Sequence, residues 1–238
     1  MEYLQKSRER NHNYQKSLEN IITRIKKSGE HPSLCLHACC GPCSSYVLEY
    51  LAEYFDVTVL YYNPNIYPAA EYERRLSELQ TLYTHFPPVL ENKVKVVVLP
   101  YDPEEYYSAI NVRNEPFIAQ EPEKGERCHR CYELRLKCTY NYAKINGFDY
   151  FCTTLSISPF KDAEQINSIG MELAGTTEYR SLKGNAIELP PAEDGEPAWL
   201  ISDFKKNGGF RRSLELSEEY NLFRQEYCGC IYSYKSLY

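Results

Sequence analysis

The chain has 238 residues, of which 43% are hydrophobic and 25% charged, and this balance predicts one globular domain with a buried core. Its formal net charge of −6 excludes nonspecific attraction to nucleic acid through overall charge, although a local basic patch stays possible. No apolar run approaches the roughly 18 residues of a membrane span, and residues 1–30 are too charged for a signal peptide, so a cytoplasmic protein with no membrane partner is predicted.

The first predicted element is a helix over residues 14–28, where Leu18, Ile22 and Ile25 recur at helical spacing. We therefore assign residues 1–30 to an N-terminal helical extension and residues 31–238 to a single domain.

Short apolar runs alternate with amphipathic patterns along the rest of the chain. The predicted strands cover residues 33–38, 57–62, 94–99 and 150–155, and the predicted helices cover residues 44–54, 69–86, 131–145, 162–174 and 213–223. Residues 184–199 contain three prolines and are predicted to form an irregular surface loop. The alternation is typical of an α/β fold with a parallel sheet and helices on both faces. Such folds bind ligands at the carboxyl ends of the strands.

Ten cysteines in a cytoplasmic chain favour metal or redox chemistry over disulfides, because that compartment keeps thiols reduced. Cys35 and Cys152 lie in apolar strands and Cys138 lies on a helix face, so these three are predicted to be packing residues. The others follow strands, begin helices or lie near the C-terminus, and we expect them to reach one edge of the sheet. They are Cys39, Cys40, Cys43, Cys128, Cys131, Cys228 and Cys230.

The adjacent pair Cys39 and Cys40 favours more than one small ion, because neighbouring side chains of an extended segment point apart. Seven soft ligands divide into four for a [4Fe–4S] cluster and three for a second centre, such as an iron with an open position. A structural zinc site is the alternative, but four ligands would leave three cysteines without a purpose. The hypothesis of a thioredoxin-type redox disulfide has less support. The helix of that motif would follow a strand, whereas Cys128 follows a loop.

Six motifs follow one another between about residues 33 and 230. They are residues 37–45 (HACCGPCSS), residues 62–68 (YNPNIYP) with Glu71-Tyr72, residues 127–131 (RCHRC), residues 153–155 (TTL) with Ser158-Pro159, residues 204–206 (FKK), and Arg224-Gln225 with residues 227–230 (YCGC). Together they resemble the motifs of the QueH-type epoxyqueuosine reductases. The resemblance implies a Rossmann-like sheet of the HUP and PP-loop type. It also implies reduction of the epoxide of epoxyqueuosine to queuosine in a tRNA anticodon, the last step of queuosine biosynthesis.

The same resemblance implies the cofactors. A [4Fe–4S] cluster is assigned in the family to the positions of Cys39, Cys40, Cys128 and Cys131. The pair Cys228 and Cys230 is described either as a redox-active disulfide or as contributing to an adjacent iron, and Cys43 stands where some members carry aspartate. The implied partners are tRNA carrying epoxyqueuosine and a low-potential electron donor.

Opening an epoxide and expelling its oxygen takes two electrons and proton delivery, whereas one [4Fe–4S] cluster passes one electron at a time. A second redox partner is therefore useful. An adjacent iron would polarise the epoxide oxygen, or the Cys228 and Cys230 dithiol would supply electrons by oxidation. We favour the iron.

Candidate substrate-binding or catalytic residues lie at predicted strand ends and within the motifs. They are Asn63, Asn65, Tyr67, Glu71, Lys161, Asn167, Arg224 and Tyr227. The asparagines are also typical of a turn. Either Tyr67 or Tyr227 is expected to donate a proton to the leaving oxygen. Arg75 is expected to lie on a solvated helix face.

The densest basic stretch suits tRNA phosphates, although an ordinary charged loop has the same composition. It holds Lys205, Lys206, Arg211 and Arg212. One rival function is an ATP-using tRNA thiolase or synthetase of the PP-loop type, which needs backbone amides to hold phosphates after the first strand. Pro42 in that turn has no amide to offer. The non-enzymatic rival is a zinc-stabilised binding module.

Overall fold

Alternating strands and helices make up the computed structural model, which describes residues 12–176 and 178–235. The strands are β1 (Ser33–Ala38), β2 (Asp56–Tyr61), β3 (Lys95–Val98), β4 (Tyr150–Thr153), β5 (Arg180–Ser181), β6 (Ile187–Glu188) and β7 (Ala198–Trp199). The helices are α1 (Tyr14–Ser28), α2 (Gly41–Leu51), α3 (Ala69–Tyr83), α4 (Pro87–Glu91), α5 (Pro103–Ala109), α6 (Glu126–Ile145), α7 (Ala163–Leu173), α8 (Gly209–Glu219) and α9 (Ile231–Lys235). Residues 1–11 of the predicted N-terminal extension lie outside the described residues.

The main sheet has five parallel strands in the order β3-β2-β1-β4-β7, which confirms the predicted α/β, Rossmann-like fold. From β1 the chain moves outward through β2 and β3, and it then crosses to β4 on the other side of β1. The strand order therefore reverses between β1 and β4. In such sheets the crevice outside the carboxyl ends of the strands at this switch point is where ligands bind.

Side chains of β1 alternate between two buried faces of the sheet, as the period of a strand requires. Leu34 and Leu36 belong to one core cluster, which also holds apolar residues of α1, α2, α3 and α8. Cys35 belongs to a second cluster, formed with residues of α6 and α7. Helices therefore cover both faces, and the functional crevice opens at the carboxyl edge between them.

Helix α1 has the predicted bounds, and it packs against the body of the sheet. Asn13 caps its start by accepting a hydrogen bond from the Lys16 amide at 3.0 Å. Leu18 and Ile22 are buried in the same core cluster as the β1 side chains. The apolar face of this helix is therefore part of the core of the fold.

Helix α2 begins at Gly41, three residues before the predicted start, so Cys43 lies inside its first turn. Cys40 is the extended N-cap residue, and Pro42 occupies the first turn, where its missing N–H has no helical partner to lose. The helix therefore begins within the cysteine motif and brings the third cysteine of the motif back towards the first two.

The prediction of an irregular surface loop over residues 184–199 is wrong at both ends of this range. Ile187 pairs with Ser181 in a short antiparallel ribbon, and Trp199 is buried in β7 at the edge of the main sheet. Gly170 of α7 admits the indole, because a Cβ on this glycine would lie 2.2 Å from the Trp199 ring. Two-residue strands carry too few positions for alternation to reveal them.

Among the described residues, no helix combines the length and the apolar character needed to cross a bilayer.

Candidate metal centre

Three cysteine sulfurs meet where β1 turns into α2. The Sγ atoms of Cys39, Cys40 and Cys43 all lie within 4.8 Å of one another, and those of Cys39 and Cys40 are 3.7 Å apart. The prediction that the adjacent pair points apart is wrong, because the chain bends at Cys39 and the alternation of an extended strand does not apply there. This group has the donor type and spacing to hold a metal ion.

Cys39 lies at the switch point of the sheet, with its Sγ 3.9 Å from Thr154 Oγ1 after β4. Hydrogen bonds from Cys40 and Cys43 lower the pKa of Cys39 well below its ordinary value, despite burial. Hydrogen bonds to Cys39 and Cys40, together with burial and the charge of these sulfurs, raise the pKa of Cys43. Without metal, the three sulfurs therefore favour one thiolate held by two thiols, and a cation would displace the two remaining protons.

Cys128 and Cys131 are buried in the first two turns of α6. Cys128 belongs to the core cluster against which Cys39 packs. Cys131 shares a different apolar cluster with Cys230, and Cys228 packs against that cluster. Helix α6 therefore shares one apolar cluster with the turn after β1 and another with the C-terminal segment.

The terminal cysteines form a close pair of free thiols, with the Sγ atoms of Cys228 and Cys230 3.9 Å apart. A hydrogen bond from Cys230 lowers the pKa of Cys228 well below its ordinary value, and the buried Lys161 ammonium acts in the same direction. Burial lowers the pKa of Lys161, but the combined interactions with Cys228, Tyr132 and Cys128 outweigh burial and raise it. Lys161 thus faces the terminal pair as a cation.

Arg75 fastens the terminal segment to α3, and its predicted position on a solvated face is wrong. The residue is only 3% exposed, and its Nε donates to Glu71 Oε1 at 2.7 Å. Its two terminal nitrogens donate to the carbonyl oxygens of Cys228, at 3.3 Å, and Tyr227, at 3.4 Å. A planar guanidinium suits this bidentate capture of backbone. Glu71, a candidate substrate residue, is thereby the counter-ion that orients Arg75.

His37 is buried on the α6 face of β1 beside the cysteine turn. Its Nε2 donates to the carbonyl oxygen of Tyr62 at 3.1 Å, and its Nδ1 accepts from Thr153 Oγ1 at 2.8 Å. Burial, assisted by the nearby Arg135 charge, lowers the pKa of His37 to about 4. The imidazole is therefore neutral and ties the ends of β1, β2 and β4 together.

We expect this histidine to give the fold an acid-sensitive contribution. An unfolded histidine binds a proton below about pH 6.5 whereas His37 resists until about pH 4, so the free energy of unfolding falls across this window by roughly 3 kcal/mol. Urea unfolding at several pH values measures it. In His37→Gln, the glutamine amide can still donate to Tyr62. The slope of the free energy of unfolding against pH between pH 6.5 and 4 should then be smaller, by an amount that corresponds to at most one bound proton. Equal slopes would contradict this assignment.

The candidate asparagines after β2 are buried and incompletely paired. Asn63 Nδ2 donates to the carbonyl oxygen of Ala38 at 2.9 Å, and its Oδ1 has no partner. Asn65 Oδ1 is likewise buried without a partner. An unpaired buried acceptor is costly unless a ligand or water satisfies it. Both asparagines therefore keep an acceptor available for a group bound in the crevice.

Two other candidates have structural partners instead. The amide nitrogen of Asn167 donates to the carbonyl oxygens of Ala163 and Ser202, both at 2.8 Å, and its oxygen accepts from Trp199 and from the Ser202 amide. This uses all four hydrogen-bonding positions of the amide. Arg224 donates to Ser213 and Ser217 of α8. Asn167 thus joins α7 to the strand end after β7, and Arg224 supports α8.

Tyr227 borders a cavity of about 380 Å³, whose walls also include Glu71 and Tyr234. The Tyr227 hydroxyl donates to the carbonyl oxygen of Tyr67. Burial raises the pKa of Tyr227 to about 12, so its phenol stays protonated at neutral pH. Tyr227 therefore borders the cavity, and Tyr67 is joined to Tyr227 by this hydrogen bond.

The basic stretch carries less free charge than its sequence suggests. Arg211 pairs with Glu215 at 3.2 Å, and Arg212 pairs with Glu49 at 2.6 Å. Lys205 pairs with Asp203, whereas Lys206 is exposed and has no ion pair among the described residues. Lys161, Lys205 and Lys206 line a second cavity, of about 530 Å³. Asp162, Glu164 and Asp203 also line this cavity, so Lys206 is the residue of the basic stretch whose charge has no ion pair among the described residues.

Sequence reasoning missed a buried cation of the site, Arg135. It is 3% exposed and lies one helical turn after Cys131, to whose carbonyl oxygen its Nε donates at 3.1 Å. The signal was present in the spacing, because residues four apart share a helix face. An arginine four positions after a predicted ligand is thus a candidate neighbour of the bound group.

Known proteins resemble the chain over nearly its whole length. A family model described as epoxyqueuosine reductase QueH matches residues 34–236, a span that includes every cysteine of the sequence. The epoxyqueuosine reductase QueH of Streptococcus pyogenes is 39% identical over 225 residues, which cover 94% of this chain and 78% of that protein. That of Staphylococcus epidermidis is 36% identical over 221 residues, covering 93% and 84%. That of Thermotoga maritima is 28% identical over 204 residues, covering 84% and 90%.

Proposed function

Because the chain belongs to the QueH family of epoxyqueuosine reductases, we propose that it reduces the epoxide of epoxyqueuosine in tRNA to queuosine, the last step of queuosine biosynthesis. The observation that carries the proposal is the close group of Cys39, Cys40 and Cys43 sulfurs after β1, supported by apolar clusters that join Cys128 to Cys39 and Cys131 to the terminal pair. An oxidoreductase that removes oxygen from an epoxide needs redox groups at its substrate crevice, and this edge is where such folds bind substrates.

The donor set fits a redox metal cofactor. The cysteines are free thiols, three of their sulfurs lie within 4.8 Å, and two buried cations, Lys161 and Arg135, face the group. We assign a [4Fe–4S] cluster to Cys39, Cys40, Cys128 and Cys131. The second iron or redox-active pair is assigned to Cys43, Cys228 and Cys230. When bound, the cluster supplies single electrons, and an adjacent iron supplies a Lewis acid for the epoxide oxygen.

The terminal pair offers a second source of electrons. Removal of the epoxide oxygen as water takes two electrons and two protons, and oxidation of a Cys228 thiolate and a Cys230 thiol to a disulfide would supply both electrons and one proton, with the second proton coming from Tyr227. The sulfurs are 3.9 Å apart, so they must approach each other for the bond to form. The low pKa of Cys228, set by the hydrogen bond from Cys230, favours the thiolate that such an oxidation requires.

The residues around the centre have separable roles in this proposal. The unpaired oxygens of Asn63 and Asn65 accept hydrogen bonds from the bound nucleoside. Tyr227, protonated at neutral pH and bordering the smaller cavity, is the better placed of the two tyrosines to donate a proton, and Tyr67 positions it through its carbonyl. Lys161 carries positive charge between the larger cavity and Cys228.

We propose that tRNA phosphates contact the larger cavity through Lys205 and Lys206. Phosphate contacts position a nucleic acid, and exposed lysines make them. Lys206 contributes most, because Lys205, Arg211 and Arg212 must first be released from their carboxylate partners.

The proposal is tested with anaerobically purified, iron- and sulfide-reconstituted protein, tRNA that carries epoxyqueuosine, and dithionite in place of the physiological electron donor. Nuclease digestion and mass spectrometry should show loss of epoxyqueuosine and a matching gain of queuosine. Absence of conversion by protein with its full iron and sulfide content would overturn the reductase assignment. A colourless protein that contains zinc and no acid-labile sulfide would favour the zinc-stabilised binding module.

A further inference from the structure

The buried guanidinium of Arg135 lies beside the backbone of the cysteine pair of α6. The residue follows Cys131 by one turn of α6, is only 3% exposed, and donates from Nε to the Cys131 carbonyl oxygen at 3.1 Å. Its guanidinium carbon is 5.9 Å from the centroid of the buried Tyr132 ring. The charge is thus fixed from one side by the helix that carries the cysteine pair.

Arg135 has no carboxylate partner among the residues that the structure describes. Arg75, also buried at this site, has Glu71 at 2.7 Å. Withdrawing an unpaired charge from water costs several kcal/mol, so a buried arginine without an acid implies another source of negative charge.

The groups whose charges favour the charged form of Arg135 are mainly cysteines. Burial lowers the pKa of Arg135, but interactions with Cys131, Cys39, Cys228 and Tyr132 together raise it by more. These partners come from α6, from the turn after β1 and from the C-terminal segment, so one cation is shared by all three stretches. A metal centre held by thiolates is also anionic, and reduction adds a further negative charge to it.

A fixed positive charge in a site of low dielectric stabilises the more negative of two redox states. We propose that Arg135 is a positioning residue that serves as the internal counter-ion of the cysteine centre and raises the reduction potential of the metal group bound there. The inference rests on the proposed function, since it assumes a redox-active centre at these cysteines. Arg135 makes no contact with substrate in this role and acts only through the charge of its guanidinium.

The test is a redox titration of reconstituted protein without tRNA, followed by electron paramagnetic resonance. In Arg135→Met, the ratio of reduced to oxidised centre at a fixed potential should fall at least tenfold, which for a one-electron couple is a shift of about 59 mV to more negative values. Arg135→Lys, which keeps the charge but not the planar fork, should recover most of the shift. Lys137→Met removes an exposed positive charge from the same helix and should leave the potential unchanged, because solvent screens that charge.

Each outcome decides the proposal. A potential of Arg135→Met equal to that of Lys137→Met would overturn it. If Arg135→Met binds no iron, retention of iron by Arg135→Lys supports the counter-ion role, whereas equal loss from both variants contradicts it. The proposed function fails separately: wild-type protein without a redox-active centre, or with a normal potential and no conversion of epoxyqueuosine, would overturn the reductase assignment.

Discussion

Cys128→Ser is expected to lose the iron–sulfur centre and with it the reductase activity. The sulfur lies in the first turn of α6, in the cluster against which Cys39 packs, and a serine hydroxyl is a poor substitute for a soft thiolate ligand. Iron and acid-labile sulfide should fall to trace levels after anaerobic reconstitution. Activity should fall by more than about a hundredfold, since even residues that only support ligands cost 10- to 100-fold.

Cys138→Ser provides the matched control on the same helix. Cys138 is half-buried and is not part of the close sulfur group, and burial raises the pKa of its thiol to about 11, so it carries no thiolate near neutral pH. We expect this variant to keep its iron, its sulfide and its rate of queuosine formation. Equal loss of iron from both variants would show that Cys128 has no special part in the centre.

Gly229→Ala should displace the terminal cysteines and lower activity while leaving the chain folded. Gly229 has φ +121°, which L side chains rarely adopt, and an added Cβ would lie 3.1 Å from Arg75 Nη1 and 3.2 Å from Ile66 Cγ1. Its carbonyl also accepts from the Tyr67 amide at 2.7 Å. Misplacement of reacting groups by about 1 Å costs roughly a hundredfold in rate, so we expect a decrease of about 10- to 100-fold in kcat/KM.

Gly147→Ala separates backbone strain from displacement of the site. Gly147 also has a positive φ, +68°, but its added Cβ would meet no atom within 4 Å. The variant should lose about 1–2 kcal/mol of stability and keep the activity of the wild type, as measured by urea unfolding and by queuosine formation. If Gly229→Ala is as active as Gly147→Ala, the position of the terminal pair does not matter to the reaction.

The features that could be predicted from the sequence are those with a local signal. The bounds of α1 and β1 followed from apolar spacing and from the glycine and proline between them. The buried positions of Cys35 and Cys152 followed from the apolar strands around them. Cysteine spacing also marked the three segments of the centre, because ligands are grouped in short motifs wherever a turn or helix end presents them.

The errors arose where a long-range contact decides the structure. The local sequence around Arg75 is typical of a solvated helix face. Its burial depends on the carbonyl oxygens of residues 227 and 228, which lie far away in the sequence. The local sequence around Trp199 is typical of a loop. Its burial depends on Gly170, whose missing side chain leaves room for the indole. The bend at Cys39, which brings adjacent sulfurs to 3.7 Å, depends on the packing of α2 against the sheet. No pattern within a short window contains these partners.

The most direct test of the metal centre is a crystal structure of anaerobically purified protein, with diffraction recorded on both sides of the iron absorption edge. We expect anomalous iron density bonded to sulfurs of the turn after β1 and of α6, with Cys228 and Cys230 adjacent to it. Density at the zinc edge alone, or a metal held by one segment while the other cysteines lie apart, would contradict the shared centre.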